Sequence, residues 1–268
     1  MSLFQDPEYL RNDQYRTADN LNARINLHLR YSTNHYGWFS WVYDKFNFDE
    51  GDRILELGCG PGDLWLENHS RIPPDSVVTL SDFSDGMVIN AKGRSAEIGY
   101  PLKFAVIDAC SIPFCDDTMD VVVANHCVYH FADREIAFSE IKRMLKPTGV
   151  FYSATVGENH LKEIDDLVGK CLVYIDDAFE REINPFTLEN GFDQLKQWFP
   201  EIQLVRYLDS LLVSDPEPLV EFVLSTSRFG LGEEQREEFL NLINDEIRSN
   251  GGEIKISKDS GIFISKVG

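Results

Sequence analysis

The stretch ILELGCGPGD, from Ile54 to Asp63, decides the fold of this chain. It predicts a short buried strand that ends in a glycine-rich turn and opens a helix, because glycine adopts positive φ and lets a ligand approach the main chain. The glycines are spaced Gly-x-Gly-x-Gly, and Asp63 stands where a dinucleotide-binding loop has its third glycine. A carboxylate there would compete with a pyrophosphate for the amides at the helix start. The stretch therefore favours a ligand with cationic groups and no phosphates over NAD or FAD.

Strands and helices alternate along the chain around this stretch. Apolar, β-branched runs predict strands buried on both faces of a parallel sheet. These strands are Arg53–Leu57, Val77–Ser81, Leu102–Ile107, Asp120–Ala124 and Val150–Val156, with further β-rich runs at Ile202–Val213 and Ile254–Val267. Ser84 and Asp133 are the predicted N-caps of two helices, and Lys146–Gly149 is expected to end the second helix. We therefore predict an α/β fold with a Rossmann-like, doubly wound, mostly parallel seven-stranded sheet.

The two flanks of this core predict helical additions. Residues 1–48 are expected to form a helical N-terminal lid, residues 49–157 the ligand-binding core, and residues 158–268 a C-terminal half with helical insertions and the last sheet strands. We interpret all three as parts of one overall domain. The polar and aromatic groups Tyr15, Asn34, His35 and Tyr36 either help to close the ligand site or serve only to cap helices and fill the core.

Polar residues stand at the ends of four successive predicted strands. They are Glu56, Asp82, Asp108 and Asn125. The carboxyl ends of parallel strands meet at one rim of the sheet, and folds of this kind bind their ligands there. An acid in the position of Asp82 accepts hydrogen bonds from ribose hydroxyls. Asp108 is suited to accept a hydrogen bond from the exocyclic amine of adenine.

These motifs resemble the class I S-adenosylmethionine-dependent methyltransferases, in particular the ubiquinone and menaquinone biosynthesis subgroup. The resemblance is carried by residues 54–63, 80–87, 107–131 and 141–155. It implies S-adenosylmethionine as cofactor, S-adenosylhomocysteine as product and a small-molecule methyl acceptor. The cofactor-binding residues that it implies are Glu56, Gly58, Cys59, Gly60, Gly62, Asp82, Phe83, Met87, Asp108, Ala109 and Asn125. In this assignment the glycine loop holds the methionine end, Asp82 holds the ribose and Asp108 contacts the adenine.

The stretch Asn125–His130 follows the fourth predicted strand, at the rim where acceptors lie in that family. His126, Tyr129 and His130 are candidates for a catalytic general base, which a protonated amine or a hydroxyl acceptor would need. The alternative is that they only form the wall of the site. On a helix, His126 and His130 would share a face as metal ligands can, but no third ligand stands at a useful spacing. We therefore expect no metal.

Composition and charge narrow the choice of partners. The chain has 268 residues and a formal net charge of −20, from 45 acidic and 25 basic residues. This charge disfavours nucleic acid and anionic membrane surfaces, and no apolar run is long enough to predict a membrane span. Because the N-terminus lacks the features of a signal or transit peptide, we expect a cytoplasmic location. The sequence does not distinguish a monomer from a homodimer.

Other functions remain open on the sequence alone. A nicotinamide-dependent oxidoreductase would share the fold, although Asp63 disfavours it. A non-catalytic S-adenosylmethionine-binding protein would keep the same cofactor residues. A protein acceptor is also compatible with the sequence, whereas the net charge disfavours RNA. The acidic segment 158–182 is either a solvated helix face or a means of attracting a cationic amine acceptor.

Overall fold

One seven-stranded sheet runs through the part of the chain that the computed structural model describes, namely residues 8, 19–174, 184–225, 229 and 231–268. Its strands are β1 (Arg53–Leu57), β2 (Val77–Asp82), β3 (Lys103–Val106), β4 (Met119–Asn125), β5 (Leu145–Val156), β6 (Glu201–Val213) and β7 (Ile254–Lys266). Their order in the sheet is β3-β2-β1-β4-β5-β7-β6. Strands β1 to β5 are parallel, and β7 is antiparallel to both of its neighbours. The predicted Rossmann-like, mostly parallel sheet is confirmed.

Helices cover the sheet and its carboxyl rim. The described α-helices are α1 (Asp19–Tyr31), α2 (Trp38–Tyr43), α3 (Asp63–Asn68), α4 (Asp85–Arg94), α5 (Arg134–Met144), α6 (Lys162–Tyr174), α7 (Gly191–Leu195), α8 (Pro216–Leu224) and α9 (Arg236–Ser249). Both predicted caps are confirmed. The Ser84 side chain accepts a hydrogen bond from the Met87 amide at 3.4 Å, and the Asp133 side chain accepts one from the Ile136 amide at 3.1 Å. These bonds satisfy amides that the first turns of α4 and α5 leave unpaired.

Apolar side chains cover both faces of the sheet. One face packs against α5 and α7 through residues such as Phe138 and Leu195. The opposite face packs against α2, α3 and α4 through residues such as Val42 and Trp65. Complete burial of one such large side chain stabilises the fold by about 1.5–3 kcal/mol. The two cores hold the strand ends in fixed positions, which is what the site at the rim requires.

Strands β6 and β7 continue past the carboxyl ends of the parallel strands. Strand β5 pairs with β7 only as far as Val156, which lies opposite Ser260. Residues 254–259 of β7 therefore pass the carboxyl rim, paired only with residues 208–213 of β6. We call these two segments the β6–β7 extension. It places Asp209 and Lys258, which lie directly opposite each other, beyond the strand ends.

Four helices pack on the β6–β7 extension and form a further apolar core. Its buried residues include Leu27 of α1, Ile164 of α6, Val220 of α8, Ile243 of α9, and Leu211 and Ile256 of the extension. A backbone hydrogen bond also joins the chain after α1 to the extension, because the Thr33 amide donates to the Ser210 carbonyl at 2.8 Å. Both flanks of the chain therefore contribute to the helices beyond the rim. Tyr15 lies outside the described residues.

One boundary differs from its prediction. Helix α5 ends at Met144, and Lys146–Gly149 does not form a turn between helix and strand but lies within β5. The register of β5 against β4 shifts in this region, as in a β-bulge. A Cβ on Gly149 would come within 2.9 Å of the Lys146 carbonyl oxygen. Glycine therefore lets the backbone fold tightly here while the strand continues.

The structure describes only part of the acidic segment. The acidic segment 158–182 includes α6, and its residues 175–182 lie outside the described residues. Within the described ranges, no helix combines the length and the hydrophobicity that crossing a membrane requires.

Candidate functional site

A cavity of about 970 Å³ lies where the strand ends meet the helices beyond the rim. Its strand-tip half is formed by the ends of β1, β2 and β3 and the loops that follow them. Its lid half is formed by α1 and residues 32–39, the residues after β4 and β5, α8 with Phe229, and the β6–β7 extension. Every predicted cofactor-binding residue except Gly62 lines the cavity, and so do His126, Tyr129 and His130.

The glycine loop after β1 turns sharply beside the cavity. Gly58 has a φ of 68° and Gly62 a φ of 85°, which residues with a Cβ rarely adopt. A Cβ on Gly58 would lie 2.6 Å from the Cβ of Cys127. Gly62 is the N-cap of α3, so the structure places it at the helix start rather than on the cavity wall.

Replacing Gly58 by alanine should destabilise the fold by about 1–3 kcal/mol, since the new Cβ is strained by the backbone and clashes with Cys127. Urea unfolding of the two proteins measures this difference. Gly99→Ala is the matched control, because a Cβ there meets nothing within 4 Å. Equal free energies of unfolding for the two variants would show that the loop tolerates a side chain.

Asp82 ends β2 and holds two loops together. Its Oδ2 accepts a hydrogen bond from the Gly60 amide at 3.0 Å, and its Oδ1 accepts one from the Ser84 amide at 2.9 Å. Burial raises the pKa of this carboxyl, although the amide hydrogen bonds act in the opposite direction. Each carboxylate oxygen can accept a further hydrogen bond. Asp82 can therefore shape the glycine loop and still accept ribose hydroxyls from the cavity.

The variant Asp82→Ala should weaken S-adenosylhomocysteine binding by about 10- to 100-fold, because charge-assisted hydrogen bonds each contribute roughly 1.5–3 kcal/mol. Titration calorimetry measures the two dissociation constants. Asp85→Ala is the control, since Asp85 is an exposed acid in the first turn of α4. An unchanged affinity in Asp82→Ala, with Asp85→Ala also unchanged, would remove Asp82 from the ligand site.

Glu56 is a buried acid at the end of β1. Its side chain is 1% exposed, and its Oε2 accepts a hydrogen bond from the Trp65 indole at 2.7 Å. Burial raises the pKa of Glu56 to about 8, the Trp65 hydrogen bond opposes this, and the charge of Asp82 adds to it. The carboxyl therefore holds a proton at pH 7. A cation bound beside it would lower that pKa and release the proton.

The remaining predicted cofactor residues form the walls of the strand-tip half. Asp108 is exposed in the loop just after β3, and its Oδ1 accepts a hydrogen bond from the Cys110 amide at 2.9 Å. Met87 and Ala109 are buried apolar walls, and Phe83 is half-buried beside them. Burial raises the pKa of Cys59 well above its usual range, so Cys59 is an unreactive thiol.

Asp63, in place of a third glycine, is the first residue of α3 and forms an ion pair. Its Oδ1 lies 2.7 Å from the Arg94 guanidinium. A carboxylate in the first turn also interacts favourably with the helix dipole. The start of α3 is thus occupied by an acid, where a dinucleotide-binding fold presents free amides to a pyrophosphate.

Asn125 and His126 connect the end of β4 to the N-terminal flank. The Trp38 indole donates a hydrogen bond to Asn125 Oδ1 at 3.1 Å, and its ring centroid lies 4.7 Å from that of His126. His126 has a φ of 57°, which is uncommon for a residue other than glycine and often marks a functional site. Burial lowers the pKa of His126 to about 4, and Lys258 adds to the effect. The imidazole is therefore neutral at pH 7.

Tyr129 and His130 line the same cavity on a different local structure. Val128–His130 is a single 3₁₀ turn, and the rings of Tyr129 and His130 meet edge to face at 4.5 Å. Because the segment is not α-helical, His126 and His130 do not share a helix face. Across the described residues, no group of three or more His, Cys, Asp or Glu side chains is arranged to hold a metal ion.

Sequence reasoning missed most polar residues of the lid half. Arg24, His28, His160 and Lys258 line the cavity, and no local motif marks any of them. Only the packing of α1 and the register of β6 against β7 bring them together. The polar and aromatic segment 31–38 was the one useful signal, since Asn34, His35 and Tyr36 all line the cavity.

Comparison with known proteins identifies the core of the chain. Residues 55–153 match the family described as "Methyltransferase domain". We refer to these residues below as the methyltransferase domain, after the family that they match. The methyltransferase domain runs from β1 into β5 and includes the whole strand-tip half of the cavity. Most of the lid half lies outside it.

Curated relatives match the methyltransferase domain and little beyond it. The ubiquinone/menaquinone biosynthesis C-methyltransferase of Geobacter sulfurreducens is 37% identical over 106 residues, which are 38% of this chain and 41% of that protein. The demethylmenaquinone methyltransferase of Symbiobacterium thermophilum is 34% identical over 119 residues, which are 42% of this chain and 47% of that protein. The match thus spans less than half the length of these relatives.

A solved structure extends the likeness of fold over the flanks. Phosphoethanolamine N-methyltransferase 2 of Haemonchus contortus, in complex with S-adenosyl-L-methionine, has a TM-score of 0.60 and 19% sequence identity. The alignment covers 98% of this chain and 60% of that chain. At this identity the likeness shows the shared Rossmann-like fold, including the strands and helices that flank the methyltransferase domain.

Proposed function

We propose that this chain transfers the methyl group of S-adenosylmethionine to a small-molecule acceptor. The observation that carries the proposal is a single cavity that joins the strand tips of the methyltransferase domain to a lid half of different chemistry. Pockets for one small ligand measure about 300–1,000 Å³. The cavity, at about 970 Å³, is at the upper end of this range, and its lining continues beyond the strand tips to α1, α8 and the β6–β7 extension, which supports space for an acceptor beside the cofactor.

The strand-tip half fits an adenosyl ligand with cationic groups. It offers the carboxylates of Asp82 and Asp108 and the carboxyl group of Glu56, which loses its proton when a cation binds beside it, and its described lining residues include no Lys or Arg. Carboxylates accept hydrogen bonds from ribose hydroxyls and an ammonium group, and they lie favourably near a sulfonium. The same charges disfavour a pyrophosphate, which supports S-adenosylmethionine over a nicotinamide cofactor.

When bound, S-adenosylmethionine supplies a methyl group on a positively charged sulfur, and a lone pair of the acceptor forms the new bond as the carbon–sulfur electrons return to sulfur. The chain's own task is to hold the acceptor in line and to exclude water. Trp38, Phe222 and Phe229 offer apolar walls for this in the lid half. We assign to His126 the removal of a proton from an acceptor that carries one.

Binding and turnover are tested separately. Calorimetry with S-adenosylmethionine, S-adenosylhomocysteine and NADH should show binding of the first two only. Incubation with S-adenosylmethionine and a protein-free metabolite extract should then release S-adenosylhomocysteine. If NADH binds and the other two do not, the protein is a nicotinamide-binding one. If S-adenosylmethionine binds but is never turned over, the protein is a non-catalytic binder. The cytoplasmic location stays a prediction.

A further inference from the structure

The acidic and basic side chains of the cavity lie mostly in different halves, although the whole chain has a net charge of −20. The acidic lining residues of the strand-tip half are Glu56, Asp63, Glu67, Asp82 and Asp108, and the basic lining residues of the lid half are Arg24, His28, His35, His126, His130, His160 and Lys258. Glu158 is the acid on the lid side, and it is exposed. This basic wall takes its positive charge from Arg24 and Lys258, because burial lowers the pKa of His28 to about 3 and that of His126 to about 4. Two cations on one wall of so acidic a chain indicate a specific ligand feature rather than the average surface.

Lys258 is the central cation of this wall. It is directly opposite Asp209 in the β6–β7 extension, and its ammonium lies 2.5 Å from that carboxylate, with 8% of the lysine side chain exposed. The ammonium has three N–H donors, and among the described residues its one hydrogen bond is to Asp209. Donors therefore remain for a group in the cavity.

Several neutral groups also donate hydrogen bonds to the Asp209 carboxylate. Its Oδ1 accepts hydrogen bonds from the amides of Asn34 and Ser210 at 2.9 and 2.8 Å, and its Oδ2 accepts one from the Ser32 hydroxyl. Burial would raise the pKa of Asp209, but the hydrogen bonds from Lys258 and Ser32 hold it below its usual range. Asp209 therefore stays ionised and fixes the position of the Lys258 ammonium, whose remaining N–H donors are what the lid half offers to an anionic oxygen.

Two histidines of the lid half, His28 and His160, line the cavity together with Lys258. Nδ1 of His28 is enclosed by the protein and has no hydrogen-bond partner among the described residues. Nδ1 of His160 accepts a hydrogen bond from the Asp259 amide at 3.1 Å, so the proton of the neutral ring is on Nε2. The centroids of the His28 and His160 rings lie 6.3 Å apart.

We propose that the lid half binds an anionic oxygen group of the acceptor, a carboxylate or a phosphate, through Lys258 with His28 and His160 beside it. The proposal rests on the proposed function and names its substrate class. Phe222 and Phe229, which also line the lid half, provide the surface for an apolar body. The acceptor is thus a small acid with an apolar part, and the basic wall disfavours the cationic amine that the acidic segment 158–182 suggested.

Paired probes test the charge preference directly. The full chain, saturated with S-adenosylhomocysteine, is titrated with 3-phenylpropanoate, with phenyl phosphate and with the neutral 3-phenylpropanamide. At least one anion should bind about tenfold more tightly than the amide, which corresponds to about 1.4 kcal/mol. Comparison of the two anions shows whether the site takes a carboxylate or a phosphate. Equal or tighter binding of the amide, or no binding of either anion, overturns the proposal.

Variants then assign the preference to Lys258. Lys258→Met should weaken binding of the preferred anion by about tenfold or more and leave S-adenosylhomocysteine affinity unchanged, whereas Lys258→Arg should retain most of the binding. Lys266→Met is the matched control, since Lys266 pairs with Glu201 on the surface end of the same two strands at 2.6 Å. Unchanged anion binding in Lys258→Met overturns the assignment. A chain that ignores S-adenosylhomocysteine refutes the proposed function instead, and the two failures are distinguishable.

Discussion

Replacement of His126 by alanine should lower the rate of S-adenosylhomocysteine release by about 100-fold or more, which is the usual contribution of a general base. The imidazole is neutral at pH 7 because burial lowers its pKa to about 4, and it can therefore accept a proton. Its ring is held against Trp38 at 4.7 Å, and its backbone is held in the left-handed region. The measurement compares initial rates of wild type and variant with the same acceptor preparation.

His130→Ala is the matched control for this prediction. His130 lines the same cavity four residues later, but it lies on the 3₁₀ turn with its ring against Tyr129. We expect a much smaller loss of rate there. The wild-type rate should also be nearly independent of pH from about 6 to 8, since a base with a pKa near 4 is already deprotonated. If His130→Ala loses the activity and His126→Ala keeps it, the two roles are exchanged.

Between pH 5 and pH 9, the difference in free energy of unfolding between Glu56→Gln and wild type should change by on the order of 2–5 kcal/mol. Burial raises the folded-state pKa of Glu56 from 4.5 to about 8. The contribution of the protonated carboxyl is therefore fully present below pH 4.5 and is lost as the pH rises through 8. The glutamine side chain is neutral throughout. Relative to wild type, Glu56→Gln should become progressively more stable between pH 5 and pH 9.

Urea unfolding of both proteins at pH 5 and pH 9 measures this effect, and Glu50→Gln, at an exposed position before β1, is the control. A difference between wild type and Glu56→Gln that stays constant with pH would contradict the raised pKa. Ligand binding offers an independent measurement. At pH 7, an ammonium group bound beside Glu56 should cause the Glu56 carboxyl to release its proton. The buffer takes up that proton, so the heat of S-adenosylhomocysteine binding should depend on the buffer in wild type and much less in the variant.

The strand-tip half could be predicted because its residues are encoded locally. Asp82 follows an apolar, β-branched run directly, so identifying the strand also places its end at the rim. The caps at Ser84 and Asp133 depend on side chains and amides only three residues apart, and both were confirmed. Lys146–Gly149 was misplaced because turn-forming residues are compatible with a bulge in a strand, and only pairing with β4 decides between the two.

The lid half could not be predicted because its contacts are long-range. Asp209 and Lys258 are 49 residues apart and become neighbours only through the register of an antiparallel pair. His28 reaches the same cavity from α1, whose position depends on its packing against α8 and the β6–β7 extension. The low pKa of His126 likewise depends on burial by Trp38 and its neighbours, which no local pattern expresses.

The sequence by itself determined the parallel core, the glycine loop and the acids at the strand tips, since strand periodicity, glycine geometry and caps act over a few residues. Tertiary structure alone decided which side chains face those acids across the cavity. Burial and charge depend on what packs together in space, and this chain brings distant basic groups over the rim by extending two strands beyond the sheet.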